Sequence, residues 1–284
     1  MKKIFIFILL LLFSIACSDN TSLDIKPTPS PTSENNLPSN IERGKFIEGD
    51  FSEKKALEFL YGNYDEAQKE SNWRPTKEDL AKVDESSGLK EEKEFYVTVV
   101  LISAFQQKGV DKQLLITSSV PPEYTCHICA PIISANVFTK NGNNWELELE
   151  QKYVAEIGVY GTAPDAKLVK LGKDNYGVLF ETGDVSQGFT YEGIRLIANI
   201  DEGFKEILNI ETAGDNSGTC GEADLGPCWK FSSKYEFVEG KNPNFFDFKI
   251  STTGTKAGEE EKTIVPIEEN KTYLFNGKEY NVPK

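Results

Sequence analysis

Apolar positions in "DFSEKKALEFLYGNY", residues 50–64, recur at helical spacing. Ala56, Leu57, Leu60 and Tyr61 fall on one face, Ser52 is placed to cap the helix, and Gly62 and Asn63 end it. A second short helix is predicted from Thr76 in "PTKEDLAKV", behind Pro75 and with acidic residues in its first turn. Neither can stand alone at that length, so both are expected to pack on the C-terminal body of the chain.

From about Phe95 the pattern changes. "EFYVTVVLISAF" is rich in β-branched and aromatic residues, and "KQLLITSSV" repeats that character until Pro121 and Pro122 stop it. A loose theme then recurs: a turn containing Asn, Asp or Gly, an aromatic residue, and alternating positions. It is carried by "KNGNNWELELE", "GKDNYGVLFETG", "DEGFKEILNIE", "KNPNFFDFKIS" and "FNGKEYNV". Such spacing predicts antiparallel hairpins in chain order, with Trp145, Tyr176, Phe204 and Phe245 at strand starts covering the hairpin ends. In "WELELE" the alternation places Trp145, Leu147 and Leu149 inward and Glu146, Glu148 and Glu150 toward water. A glycosidase-like carboxylate pair is the sharper reading of those glutamates, and a solvated face is the preferred one.

No helical pattern of 10 to 15 residues separates the strands, which argues against parallel α/β folds. The fold class expected is mostly β, an antiparallel meander of about ten to twelve strands with one or two short N-terminal helices. A sandwich, an open barrel and a propeller-like arrangement all satisfy the pattern. The division expected is a leader over 1–16, a tether over 17–45, a short helical segment over 46–92 packed on the body, and an all-β domain over 93–284.

The leader is read from "MKKIFIFILLLLFSIAC": two lysines, an apolar run from Ile4 to Phe13, and small residues before Cys17. That run is shorter than the roughly 20 residues of a membrane span, so a secretory signal is preferred over an anchor helix. Next comes "SDNTSLDIKPTPSPTSENNLPSN", poor in apolar residues and rich in Ser, Thr, Pro and Asn, the composition of an extended spacer. "FSIAC" resembles the lipobox of bacterial lipoproteins, with Ala16 and Cys17 matching and Ser14 standing where leucine is usual. The resemblance implies a diacylglycerol on the Cys17 thiol, acylation of the new amine, and attachment to a bilayer through lipid alone. Ser18 after the cysteine resembles an outer-membrane address.

Charge narrows the partners. The chain carries −14 at neutral pH, and losing the leader removes Lys2 and Lys3 and no acid, which takes it to −16. An acidic surface makes nucleic acid an unfavourable partner and keeps a tethered protein soluble. The partners expected are the lipid bilayer and a protein or glycan ligand of unknown identity.

With Cys17 lipidated, four cysteines remain, and an exported chain pairs them. Cys126 with Cys129 and Cys220 with Cys228 is the pairing preferred, since Gly221, Gly226 and Pro227 can make the reversal the second bridge needs. Two other pairings would join "CHIC" to the later loop. "EYTCHICAPII" has the spacing of a redox dithiol, with His127 between the sulfurs. The stretch after it is strand-forming, however, rather than the helix that lowers a thiol pKa. Zinc is disfavoured, because Cys, His and Cys within four residues do not converge on one tetrahedral ion. Asp215, Asn216 and Asp224 are weak calcium candidates in a glycine-rich loop whose spacing is not that of an EF-hand. No metal or cofactor and no catalytic residue is assigned; no P-loop, serine elbow or zinc-protease signature occurs. "CHICAP" and the closing "YLFNGKEYNV" resemble a class of uncharacterised bacterial envelope proteins, which implies an exported β-rich domain. The function expected is a non-enzymatic binding or structural component of the cell envelope. Thiol–disulfide exchange at Cys126 and Cys129 is the first alternative, and calcium-dependent binding the second.

Overall fold

The computed structural model describes residues 46–201, 203–221, 226–258 and 263–283. The expected leader, Cys17 and the tether lie outside the described residues, as does Asp224.

The first sheet contains β1 (Phe46–Glu48), β2 (Tyr64–Asp65), β3 (Glu70–Trp73), β4 (Phe95–Gln107), β5 (Val110–Val120), β6 (Ile132–Asn141) and β7 (Asn144–Glu156). Its order is β1-β7-β6-β5-β4-β3-β2, a meander whose last strand is flanked by the first. The second holds β8 (Ala166–Lys170), β9 (Tyr176–Ser186), β10 (Phe189–Ile200), β11 (Gly203–Asp215), β12 (Lys230–Val238), β13 (Asp247–Ala257), β14 (Ile264–Phe275) and β15 (Tyr280–Asn281), all in chain order. All pairings are antiparallel, and the second sheet curls into a half-barrel. The mostly β expectation holds. The fifteen strands among the described residues exceed the ten to twelve expected because β1, β2, β3 and β15 are two to four residues long, too short to show alternation.

Apolar alternation explains the layers. Leu114 and Ile116 of β5 and Ile133, Ala135 and Val137 of β6 meet Val178 and Phe180 of β9 and Ile197 of β10 between the sheets. Leu179 points the other way, into the half-barrel, with Leu196, Phe248, Ile250 and Tyr280. The unbroken run Val178–Leu179–Phe180 is thus apolar because both faces of β9 are covered. On the outer face of the first sheet lies α1 (Glu53–Tyr61), with Ser52 accepting from the Lys55 amide and Gly62 ending it. Its Ala56 and Leu60 pack with Leu115, Phe138 and Trp145.

Three local expectations change. Residues 46–92 pack on the body but are not only helical: they supply β1, β2 and β3, and Ser71–Trp73 pair directly with β4. The helix predicted from Thr76 starts and does not propagate. Thr76 and Asp79 exchange cap hydrogen bonds, and Leu80 N–H reaches Thr76 O at 3.3 Å, but the next bonds close tighter three-residue turns. Leu80 and Val83, three apart, are both buried in the cluster with Trp73, and that burial outweighs helix extension in so short a segment. In "WELELE" a bulge intervenes, because Phe138 pairs with Leu147 while the adjacent Val137 pairs with Leu149. Trp145 and Leu147 therefore lie under α1, whereas Leu149 turns to the inter-sheet core.

The same bulge brings Glu148 to Lys112, whose ammonium is 2.6 Å from the carboxylate and whose residue is 8% exposed. Burial pushes the Glu148 carboxyl up, but hydrogen bonds from Lys112 and Thr139 and the Lys112 charge outweigh it, leaving it below the ordinary range. A carboxyl lowered on folding stabilises above its unfolded pKa and loses that contribution as pH falls through the folded value. The Glu148 side chain is 45% exposed, which screens the pair. A double-mutant cycle with Lys112→Met and Glu148→Gln is expected to give a coupling of about 1 kcal/mol at pH 7. It should shrink toward zero as pH is lowered from about 5 to about 2; a coupling that does not change with pH would show the contact to be packing alone.

Candidate functional site

The chain leaves β5 into "PPEYTCHICAP" and turns sharply. Cys129 N–H donates to Cys126 O at 2.9 Å, and the two sulfurs are bonded at 2.03 Å. CHIC is thus a stapled turn, not the start of a helix. Ile128 at its tip is 84% exposed and Cys126 is exposed, while Cys129 is 6% exposed.

A second loop, residues 157–165 after β7, lies against this turn. Gly161 N–H donates to Cys129 O at 2.7 Å and Tyr160 N–H to His127 O at 3.4 Å. Gly161 sits at φ +70°, and a Cβ there would come within 2.1 Å of Tyr124 O, so the two backbones touch only because it is glycine. The third wall is the β9–β10 hairpin. His127 Nε2–H donates to Asp184 Oδ1 at 2.6 Å, and the imidazole lies 5.1 Å from the Tyr160 ring.

Between the loop and the faces of β9, β10 and β11 lies an open cavity of about 480 Å³, within the range of small-molecule sites. Its floor is set by strand register. Gly193 pairs with Thr182 on one side and Glu211 on the other, between Tyr191 and Arg195 on its own strand. Directly paired residues share a face, so Gly193 adds no side chain to a floor bounded by those four, and a Cβ there would meet the Ile210 carbonyl oxygen at 2.9 Å. Arg195 Nε donates to Glu206, and Nη1 to the Glu156 carbonyl at 2.6 Å, which holds the floor against the end of β7. Asn209 and Glu211 line the cavity, and neither makes a side-chain hydrogen bond or ion pair with any described residue.

The second disulfide joins Cys220 and Cys228, so both preferred pairings form and each closes locally. Gly221 N–H donates to Gly226 O at 3.0 Å in the expected reversal. Next to Cys228, the Trp229 ring is 6.2 Å from both Phe189 and Tyr191 and 6.1 Å from Phe231. The two bridged segments therefore both fasten to the β9–β10 hairpin. His127 grips Asp184, Trp229 covers Tyr191, and Asp184 and Tyr191 are cross-strand partners.

Of the three calcium candidates, Asp215 and Asn216 lie among the described residues. Asp215 accepts from the Ser217 amide and hydroxyl; Asn216, 5% exposed, accepts from Trp229 N–H and donates to Pro227 O. Asn216 thereby ties the end of β11 to the segment that enters β12. Among the described residues no group of three or more His, Cys, Asp or Glu could hold a metal ion. Glu146 and Glu150 lie far from the cavity lining, Glu146 with Asn141 and Glu150 beside Lys152. Sequence reasoning found His127 but missed Tyr160, Asp184, Tyr191, Arg195 and Glu211, which come from the 157–165 loop and three strands. The one local signal was "GVYGTAP", whose paired glycines mark a loop pressed against another backbone.

No protein-family model matches this chain, and no curated protein and no solved structure matches it either.

Proposed function

We propose that this chain is a lipoprotein of the bacterial cell envelope, held to the outer membrane or cell surface through Cys17, that acts by binding a small ligand beside the CHIC turn. The observation that carries the reading is the cavity over Gly193, walled by a loop that is itself clamped to a disulfide-stapled turn. Such bracing holds a site in shape before a ligand arrives, which lowers the ordering cost of binding. Binding rather than catalysis is favoured by the state of the single imidazole. His127 is engaged by Asp184 and covered by Tyr160, and no hydroxyl or thiol of a described residue hydrogen-bonds to it. A long polar tether suits a receptor that must reach past a surface.

Two measurements test the two halves. Radiolabelled palmitate should mark the wild-type product in its native cells and not Cys17→Ser; equal labelling of both removes the anchor. In a thermal-shift screen of the mature chain from residue 18, ligands at saturation should raise the midpoint, the added stability being about 2.7 kcal/mol at a hundred times Kd. The shift should vanish in Tyr160→Ala, since Tyr160 is 54% exposed and contributes a cavity wall rather than core. Shifts unaffected by that change would place binding elsewhere.

Thiol–disulfide exchange through Cys126 and Cys129 is kept as a second reading because Cys126 is solvent-exposed while Cys129 is buried. That asymmetry would let a substrate thiolate attack the Cys126 sulfur, with Cys129 as leaving thiolate. Equilibration with defined dithiol buffers decides it: a reduction potential below about −300 mV marks a structural staple and removes the redox reading.

A further inference from the structure

We infer that the cavity over Gly193 takes a small organic cation, a quaternary or protonated amine; this rests on the cavity being the ligand site. Four observations converge on that class.

The first is charge. Glu211 stands on the cavity face beside Gly193 with no partner among the described residues, and Asp184 lies one cross-strand row further along the same face. The cation of the cavity, Arg195, already faces the Glu206 carboxylate and the Glu156 carbonyl. The Glu211 carboxylate, on an exposed residue, is left with no cation facing it among the described residues.

The second is the rings. Tyr160 and Tyr191 both line the cavity, and neither side chain has a hydrogen-bond partner among the described residues. Tyrosine faces attract a cation through the ring quadrupole, and the attraction grows as water is excluded. Tyr191 is backed by Trp229 at 6.2 Å and Phe189 at 6.3 Å, so its ring is held in place before any ligand arrives.

The third is the floor. An added Cβ on Gly193 would meet the Ile210 carbonyl oxygen at 2.9 Å and Thr182 Oγ1 at 3.1 Å, so only glycine fits there, and the floor between Thr182 and Glu211 carries no side chain that would stand between a ligand and the carboxylate. The fourth is the His127–Asp184 hydrogen bond at 2.6 Å, which holds the Asp184 side chain at the cavity edge. An anionic ligand would meet Glu211 and Asp184, and the one cation among the described lining residues, Arg195, is already engaged.

Calorimetry on the mature chain from residue 18 tests this with three probes: choline, its neutral isostere 3,3-dimethylbutan-1-ol, and methyl glucoside. Choline is expected to bind saturably, at least about tenfold more tightly than the isostere. Glu211→Gln should weaken choline about tenfold and leave the isostere unchanged, with the thermal midpoint of the chain retained. Choline binding should also weaken as salt is raised. Equal affinity for choline and the isostere overturns the cation assignment and leaves the cavity as an apolar site. Methyl glucoside binding that survives Glu211→Gln, with no heat from choline, overturns it in favour of a glycan. No saturable heat from any probe, on a chain that still melts cooperatively, counts against both the cation and the cavity as ligand site.

Discussion

Truncating Phe138 to alanine is expected to lower the free energy of unfolding by about 3 to 5 kcal/mol. Phe138 is fully buried on β6, with the Phe51 ring at 5.0 Å and the Phe59 ring at 5.8 Å, both edge-on. It keys α1 and the chain before it onto the outer face of the first sheet, in one cluster with Leu115 and Trp145. Collapse into the vacated space is opposed from both sides. The β6–β7 bulge fixes Leu147 opposite Phe138, and α1 is tied down at Ser52 and Gly62. Urea unfolding should show the midpoint falling with an unchanged slope, because the surface exposed on unfolding is nearly the same. A loss below about 1 kcal/mol would mean that α1 relaxes freely into the gap, and that the helical layer is a loose cover.

The second large effect is expected at Gly161. Alanine there faces two costs: the left-handed backbone, about 1 to 2 kcal/mol for an L residue, and a Cβ placed 2.1 Å from the Tyr124 carbonyl oxygen. Neither backbone can yield cheaply, so the 157–165 loop must lift from the CHIC turn. Lifting breaks the Gly161 to Cys129 hydrogen bond, worth about 1 kcal/mol net. A total loss of about 2 to 3 kcal/mol is expected, with ligand binding in the cavity abolished because Gly158, Tyr160 and Thr162 move with the loop. Gly109→Ala is the control. Gly109 has φ +78° but nothing within 4 Å of its added Cβ, so it should show only the backbone cost. If the two substitutions cost the same and binding survives both, the loop is not clamped as the geometry implies.

Strand content was legible because β-branched and aromatic runs between Asn, Asp and Gly turns have little else they can form. Helix α1 was legible from Ser52, the spacing of Ala56, Leu57 and Leu60, and Gly62. Its neighbour at Thr76 shows the limit: the cap chemistry is present as expected, yet a cap starts a helix and cannot supply the packing that extends it. "WELELE" shows another. Alternation marks Leu147 and Leu149 as apolar, but a single bulge sends them into different cores.

Short-range chemistry, then, was settled along the chain: the hairpins, the turn residues, and cysteine pairs three and eight residues apart, each near enough to close alone. Association between distant segments was settled only by folding. The break into two sheets, the curl of the second, the meeting of His127 with Asp184, the pairing of Glu211 with Gly193 and the convergence of Tyr160 and Tyr191 on one cavity have no counterpart in local pattern. The physical reason is that periodicity reports that a side chain leaves water and carries no record of what it meets there. A site assembled from a turn, a loop and three strands exists only once those contacts are made.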